Sequence, residues 1–134
     1  PERVWEALDL LRAERIGHGI DSMRDPRLVE RLREAGIPID VSPTSNLRTR
    51  AVEVSDEHPL PRMMEAGLLV TLNTDDPPMF GTDLLNEYRV AHGMGLDADA
   101  LAALARNGVA ASFLDEAAKR DMTAEIDAVL ARFR

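Results

Sequence analysis

The sequence predicts an α/β protein in which short parallel strands alternate with helices. Two observations support this fold class. The residues Glu-Ala-Gly occur at 34–36 and again at 65–67, and each time a helical pattern stops and a short apolar run follows. A helical pattern also separates each apolar run from the next. Strands joined in this way are parallel, because the connection must cross from one end of the sheet to the other.

The chain begins with a predicted helix and a short strand. Residues 1–14 show a helical apolar face, and residues 15–20 form a short strand candidate punctuated by glycines. The helical face consists of Val4, Leu8 and Leu11, with Trp5 beside them. His18 lies between two of the glycines, towards the carboxyl end of this strand.

A second helix and a second strand follow. Asp25 is predicted as the N-cap of the helix, with Pro26 at its first position and Gly36 at its end. Residues 37–41 form the second strand candidate, which runs out into the polar segment 42–46. We therefore expect the second strand, like the first, to end in polar residues.

The third strand ends in two adjacent carboxylates. A polar stretch over residues 47–58 precedes a short helix at residues 61–66, and the apolar run from residue 68 is predicted as a buried strand. Asp75 and Asp76 follow it. Like charges in a half-buried place repel unless a cation or a donor compensates. The pair indicates either a turn in which one Asp caps the next segment or a binding site.

Beyond residue 80 the sequence is predicted to be helical to its end. Three sets of apolar residues have helical spacing. They are Leu84, Leu85, Tyr88 and Ala91; Leu101, Leu104 and Ala105; and Ile126, Val129, Leu130 and Phe133. The predicted order is therefore α-β-α-β-α-β-α-α-α. No linker interrupts residues 1–134, so we expect them to form a single, partial domain.

Composition excludes several classes of function. Charged residues make up 30% of the 134 residues and no apolar span occurs, so we expect no membrane partner. The formal net charge is −8 and no basic stripe is present, which argues against nucleic acid as a partner. The chain has no Cys, which excludes a disulfide or a thiolate zinc site within it, and we expect a cytoplasmic protein.

The polar strand ends favour one architecture. About three parallel strands cannot close a barrel, so the chain is either a small open α/β sheet or the C-terminal part of a (β/α)8 TIM barrel followed by helices. The barrel is favoured because all three strands carry polar residues at their carboxyl ends, where the active sites of barrel enzymes lie. The chain begins at Pro1 without an initiator Met, and we expect it to be a piece or a processed product.

The strand ends hold the candidate functional residues. His18, Asp75 and Asp76 could together form a metal or proton-transfer site. One carboxylate could bind Zn²⁺ through oxygen while its neighbour accepts a hydrogen bond from a substrate. Ser42 and Ser45 have no base at a useful spacing, so we expect a turn or substrate-lining role for them. The other two histidines lie outside the strand ends and are assigned no role: His58 and His92.

Three motifs at these positions resemble the adenosine deaminase family and occur in the order of that family. Residues 15–19 are Arg-Ile-Gly-His-Gly, residues 42–46 are Ser-Pro-Thr-Ser-Asn, and residues 72–77 are Leu-Asn-Thr-Asp-Asp-Pro. Residues 107–114 are similar to the closing helices of the family. Any one motif is weak, whereas the three in order, spread over nearly the whole chain, are specific.

The resemblance implies a zinc-dependent (β/α)8 hydrolase that converts adenosine and water to inosine and ammonia, with one Zn²⁺ per full-length subunit. By motif match, Asp75 would bind the metal and help to take a proton from its water. His18 would stabilise the attacking hydroxide, and Asp76 would share a hydrogen bond with a purine ring nitrogen. Zinc lowers the pKa of a bound water to about 7, which provides a nucleophile at neutral pH.

The resemblance also implies residues that this chain lacks. The His-x-His pair of the family, a third zinc-binding His and a general-acid Glu would lie on strands before Pro1. One Asp cannot hold a catalytic zinc, which usually needs about three protein ligands. We therefore expect residues 1–134 alone to be inactive and to fold poorly.

Several alternatives stay open. The substrate could be the free base adenine or an adenine-bearing metabolite such as aminodeoxyfutalosine, and Ser45 and Asn46 lie where substrate choice could be influenced. The full-length protein could be another metal-dependent hydrolase of the amidohydrolase group, although the Asp-Asp pair favours a deaminase. The chain could also be a non-catalytic α/β module. The sequence predicts no oligomeric state.

Overall fold

The three strands form one parallel sheet. The computed structural model describes residues 1–133, apart from the side chain of residue 56. The strands pair in the order β1-β2-β3, and Ile39 in the central strand lies opposite Ile16 on one side and Val70 on the other. Their bounds are β1 Ile16–Gly17, β2 Ile39–Val41 and β3 Val70–Leu72. The parallel α/β arrangement predicted from the sequence is therefore confirmed.

Eight α-helices surround and follow the sheet in the described part of the chain. Their bounds are α1 Glu2–Asp9, α2 Pro26–Ala35, α3 Pro43–Arg48, α4 Leu60–Glu65, α5 Pro77–Phe80, α6 Leu84–Gly93, α7 Ala98–Ala110 and α8 Glu116–Leu130. Short 3-10 turns lie at Ile20–Arg24, Ser55–Glu57 and Ala131–Phe133. Within these described residues no helix is long and apolar enough to span a membrane.

The first helix is shorter than predicted. It ends at Asp9 instead of continuing to residue 14, because the backbone at Arg12 has a φ of 52° and cannot continue a right-handed helix. Leu11, predicted to lie on the buried face, is consequently 78% exposed, whereas Leu8 is buried. The prediction failed since apolar spacing carries no information on where a backbone turns.

The second helix has the predicted ends. The carboxylate of Asp25 accepts hydrogen bonds from two backbone N–H groups of the first turn, and Pro26 occupies the first position. Gly36 ends the helix with a φ of 61°, a left-handed conformation that glycine adopts without steric cost. Trp5 also donates its indole N–H to Asp25 at 2.8 Å, which holds the pKa of that carboxyl below its ordinary value.

The polar segment after the second strand is helical. The sequence predicts that the second strand runs out into the polar segment 42–46, but a helix, α3, begins there at Pro43, a residue well suited to the first position of a helix. Ser42 occupies the N-cap without a side-chain capping bond. Because α3 starts directly at the end of β2, the side chains of its first turn lie close to the end of the neighbouring strand β3.

The core lies between the sheet and its covering helices. Several of its side chains are 0% exposed: Leu28, Leu32, Ile39, Val41, Leu60, Met63 and Val70. The predicted apolar face of α6 is only partly correct, since Ala91 is buried but Leu84 and Leu85 are more than half exposed. Strands β1 and β3 each pair only with β2 among the described residues, which leaves the outer edge of each strand open.

Candidate active site

A cleft of about 530 Å³ lies at the carboxyl ends of the three strands. The residues that line it come from all three strand ends and from the start of α6: Gly17, His18, Asp40, Ser42, Leu72, Asn73, Thr74, Asp75 and Leu84. Polar side chains therefore meet at the edge of the sheet where the sequence analysis placed them.

His18 and Asp75 lie together in this cleft. Nε2 of His18 is 3.7 Å from Oδ2 of Asp75, and the two side chains are 53% and 35% exposed. Both residues have a positive φ, 125° for His18 and 58° for Asp75. Such conformations cost on the order of 1–3 kcal/mol each for residues other than glycine and cluster at functional sites. The backbone is thus strained at the two residues predicted to carry chemistry.

Gly19 permits this arrangement around His18. Its φ is 72°, and a Cβ atom there would lie only 3.0 Å from Cγ2 of Ile16 and 3.3 Å from Cγ2 of Ile39. A side chain at Gly19 would therefore displace the core beneath the site. At Gly17 a Cβ would meet nothing within 4 Å, so the close contact with the core occurs at Gly19 and not at Gly17.

Ser45 contacts the Asp75 carboxylate. Its Oγ donates a hydrogen bond of 2.8 Å to Oδ2 of Asp75, the oxygen that also faces His18. The sequence analysis gave Ser45 a turn or substrate-lining role, because its spacing from any base is long. The signal that could have found the contact is Pro43, which starts a helix and so brings Ser45 back towards the strand ends.

Asp76 caps the following helix. Its Oδ1 accepts the backbone N–H of Met79 at 3.0 Å, and the residue is exposed. This is one of the two interpretations that the sequence left open for the Asp pair. Oδ2 of Asp76 has no protein partner among the described residues and is available to another group.

A buried carboxylate in α6 holds the first turn of α3, the helix that carries Ser45. Glu87 in α6 is 0% exposed, and its Oε2 accepts the backbone N–H of Thr44 at 3.1 Å in the first turn of α3. Its Oε1 accepts the hydroxyl of Thr82. Glu87 thus performs the capping function that the side chain of Ser42 does not. The sequence analysis missed it, since a Glu in an amphipathic helix usually lies on the solvent side.

A second carboxylate lines the cleft. Asp40, in the middle of β2, accepts hydrogen bonds from Arg15 at 2.9 Å and from the hydroxyl of Thr71 at 2.6 Å. Asn73 in turn donates to Thr71 at 2.8 Å. Arg15 also bonds the carbonyl of Ala111. The charge of Asp40 is therefore compensated within the protein, which distinguishes it from Asp75.

His58 is buried and uncharged at neutral pH. Burial lowers its pKa from 6.5 to about 4. Its Nδ1 accepts the backbone N–H of Leu60, so Nε2 carries the proton and donates to Oδ1 of Asn46 at 3.1 Å. His58 therefore fixes the residue next to Ser45. His92 is exposed and donates from Nδ1 to the carbonyl of Leu96, away from the cleft.

The residues at the cleft fit part of a metal site. Among the described residues, no three His, Asp or Glu side chains converge in a way that could hold a metal ion. Asp75 nevertheless offers one carboxylate oxygen without a protein partner in this part of the chain, and His18 lies beside it. This arrangement suits a single ligand that completes a site formed with other residues.

Comparison with known sequences identifies relatives over almost the whole chain. A family model described as adenosine deaminase matches residues 1–129. The aminodeoxyfutalosine deaminase of Streptomyces avermitilis is 58% identical over 128 residues, which cover 95% of this chain and 36% of that protein. The adenosine deaminase of Shewanella loihica is 44% identical over 124 residues, which cover 92% of this chain and 38% of that protein. The chain thus spans little more than a third of the length of these relatives.

Comparison with solved structures gives the same family. The crystal structure of adenine deaminase from Arthrobacter aurescens matches with a TM-score of 0.92 and 37% identity, covering 97% of this chain and 40% of that one. An amidohydrolase from Burkholderia ambifaria, solved with bound Zn, matches with a TM-score of 0.86 and 27% identity, covering 98% and 38%. The predicted barrel portion is therefore confirmed, and this chain belongs to the adenosine deaminase family of hydrolases.

Proposed function

We propose that this chain supplies the C-terminal part of a metal-dependent deaminase. The parent enzyme, meaning a longer protein that contains residues 1–134, would replace the exocyclic amine of an adenine ring by oxygen. Water is consumed and ammonia is released. The observation that carries the proposal is the pairing of His18 with Asp75, 3.7 Å apart, in a cleft at the strand ends of a family member.

Asp75 is the residue of this chain that would hold the metal. Zn²⁺ at such a position supplies a Lewis acid that makes water acidic enough to act as a nucleophile at neutral pH. The Asp75 carboxylate accepts a proton from the attacking water. His18, whose Nε2 faces that carboxylate, stabilises the negative charge that develops on the attacking oxygen.

Asp76 would orient the adenine ring. Its Oδ1 accepts the backbone N–H of Met79, and its Oδ2 is available to share a proton with a ring nitrogen in a hydrogen bond. The water oxygen then bonds to the ring carbon that bears the amine, and the C–N bond breaks as ammonia leaves. The proton for the leaving amine would come from a general acid elsewhere in the parent enzyme.

We infer that aminodeoxyfutalosine is the first candidate substrate. The supporting observation is that this chain is 58% identical to an aminodeoxyfutalosine deaminase and 44% identical to an adenosine deaminase over similar lengths. Adenosine, expected from the sequence motifs, is the second candidate, and adenine is the third. Ammonia release by the parent enzyme should show kcat/KM at least about tenfold higher for the true substrate, a difference of about 1.4 kcal/mol in transition-state binding. Equal values for adenosine and adenine would mean that the ribose is not recognised.

The role of Asp75 is tested by Asp75→Ala in the parent enzyme. We expect kcat/KM to fall by about a thousandfold or more, on the scale of removing an essential catalytic group. Asp115→Ala is the matched control, because Asp115 is an exposed N-cap at the start of α8. Near-normal deamination by Asp75→Ala would refute the proposed mechanism. If the unmodified parent deaminates none of the three substrates, the non-catalytic module is the better description.

A further inference from the structure

Ser45 is the hydrogen-bond partner of the carboxylate on which the proposed function depends. Its Oγ donates to Oδ2 of Asp75 at 2.8 Å, and Nε2 of His18 lies 3.7 Å from the same oxygen. Ser45 is only 3% exposed, so its hydroxyl is shielded from competing water. A hydrogen bond to an ionised acceptor in such surroundings is stronger than one between two neutral groups.

The helix that carries Ser45 is held firmly. The backbone N–H of Thr44 donates to the buried carboxylate of Glu87, which fixes the first turn of α3 against α6. The carbonyl of Ser45 accepts both the backbone N–H of Thr49, at 2.9 Å, and its hydroxyl, at 2.8 Å. Ser45 therefore presents its hydroxyl from a fixed position.

The Asp75 side chain, by contrast, has few other restraints. It is 35% exposed and follows a backbone with a φ of 58°. Among the described residues, Oδ2 has Ser45 and His18 as neighbours, while Oδ1 has no hydrogen-bond partner. Without Ser45, the carboxylate would be free to rotate and exchange its two oxygens.

We propose that Ser45 is the positioning residue for Asp75. It holds Oδ2 beside His18 and thereby leaves Oδ1 as the oxygen that is offered to the metal. This inference rests on the proposed function and adds a residue to it. Carboxylates that bind metals are themselves hydrogen-bonded, and removing such an outer partner typically costs about 10–100-fold in metal affinity or activity.

The geometry does not suit Ser45 as a nucleophile. In serine hydrolases a histidine lies between the hydroxyl and the carboxylate, so that the imidazole can take the hydroxyl proton. Here the Asp75 carboxylate lies between Ser45 and His18. Ser45 is also buried and is not one of the residues that line the cleft, so its hydroxyl acts through Asp75.

The test compares Ser45→Ala with Ser22→Ala in the metal-loaded parent enzyme. Ser22 is a matched control, because its hydroxyl is fully buried but has no hydrogen-bond partner among the described residues. For Ser45→Ala we expect kcat to fall by about 10–100-fold, KM to change less than about twofold, and metal affinity, measured by competition with a chelator, to fall by about 10–100-fold. Ser22→Ala should have the same kcat, KM and metal affinity as the parent enzyme.

Two further variants separate a positioning role from a structural one. Ser45→Thr keeps the hydroxyl donor and should restore most of the metal affinity. Ser45→Cys has a similar size but a weaker donor. It should therefore show the loss of kcat and metal affinity even if Ser45→Ala does not fold. Unchanged kcat and metal affinity in folded Ser45→Ala or Ser45→Cys, with Asp75→Ala inactive, would overturn this inference alone. Activity in Asp75→Ala would overturn the proposed function as well.

Discussion

The burial of His58 makes the free energy of unfolding depend on pH. Its folded pKa of about 4 lies below the ordinary value of 6.5, because burial disfavours the charged ring. Below pH 6.5 the unfolded chain binds a proton at this residue while the folded protein does not. The contribution of His58 to stability is therefore complete above pH 6.5 and is lost as the pH falls towards and below 4, by about 3 kcal/mol in total.

Urea unfolding of the parent enzyme at pH 7 and pH 4.5 measures this loss. His58→Gln removes the titrating group, so we expect the variant to lose less unfolding free energy than the parent between these two pH values. His92→Gln is the control, since His92 is exposed and lies away from the cleft. An identical pH dependence for His58→Gln and the parent would contradict the assignment.

At the residue scale, the sequence predicted that His18 and Asp75 lie together, and it missed the side chains that support Asp75. His18 and Asp75 could be placed together because the carboxyl ends of parallel strands meet at one edge of a sheet. Pro43 indicates that a helix starts here but not the direction in which it runs, so the sequence alone does not separate Ser45, which contacts Asp75, from Ser42, which does not cap its helix. That distinction depends on the direction of α3, and hence on tertiary contacts with Glu87.

Helix α3 depends on Glu87 in the neighbouring helix α6. Both oxygens of Glu87 accept hydrogen bonds, from the backbone N–H of Thr44 and from the hydroxyl of Thr82. Glu87→Gln has the same shape but removes the charge and turns one acceptor into a donor, so the Thr82 hydroxyl must reverse its direction and both hydrogen bonds lose an ionised acceptor. We expect the free energy of unfolding to fall by about 1–3 kcal/mol, the scale of hydrogen bonds to a charged group.

The effect of Glu87→Gln should extend to the site. Since α3 carries Ser45, we expect a loss of metal affinity in the same direction as in Ser45→Ala, although smaller. Glu125→Gln is the control, because Glu125 is an exposed residue of α8 and should change stability by less than about 0.5 kcal/mol. A variant Glu87→Gln as stable as Glu125→Gln would show that α3 does not need this cap.

At the element scale, predictions succeeded where the signals were local. The ends of α2 followed from Asp25, Pro26 and Gly36, whose roles depend only on backbone geometry. The exposed positions of Leu84 and Leu85 could not be predicted in this way. Apolar spacing identifies a face of a helix, but the neighbouring elements decide whether that face is covered.

At the scale of the whole molecule, the described residues leave two sheet edges open, and Asp75 is the strand-end carboxylate that we propose as a metal ligand. Strands β1 and β3 have no further partner in the described part of the chain, and exposed edges of this kind favour association between copies. The side chain of Phe113, which lies 5.8 Å from the guanidinium of Arg15, is 97% exposed. These features fit a chain that spans little more than a third of the length of its relatives.

Residues 1–134 alone should therefore bind zinc only weakly. Asp75 would supply one ligand, and no group of three ligating side chains occurs among the described residues. Isothermal titration with Zn²⁺ should show no tight stoichiometric binding, and the Asp75→Ala chain should give the same weak signal. Tight binding of one Zn²⁺ per chain, abolished by Asp75→Ala, would contradict this expectation. It would mean that residues 1–134 build a metal site by themselves, either within one chain or between two copies of it.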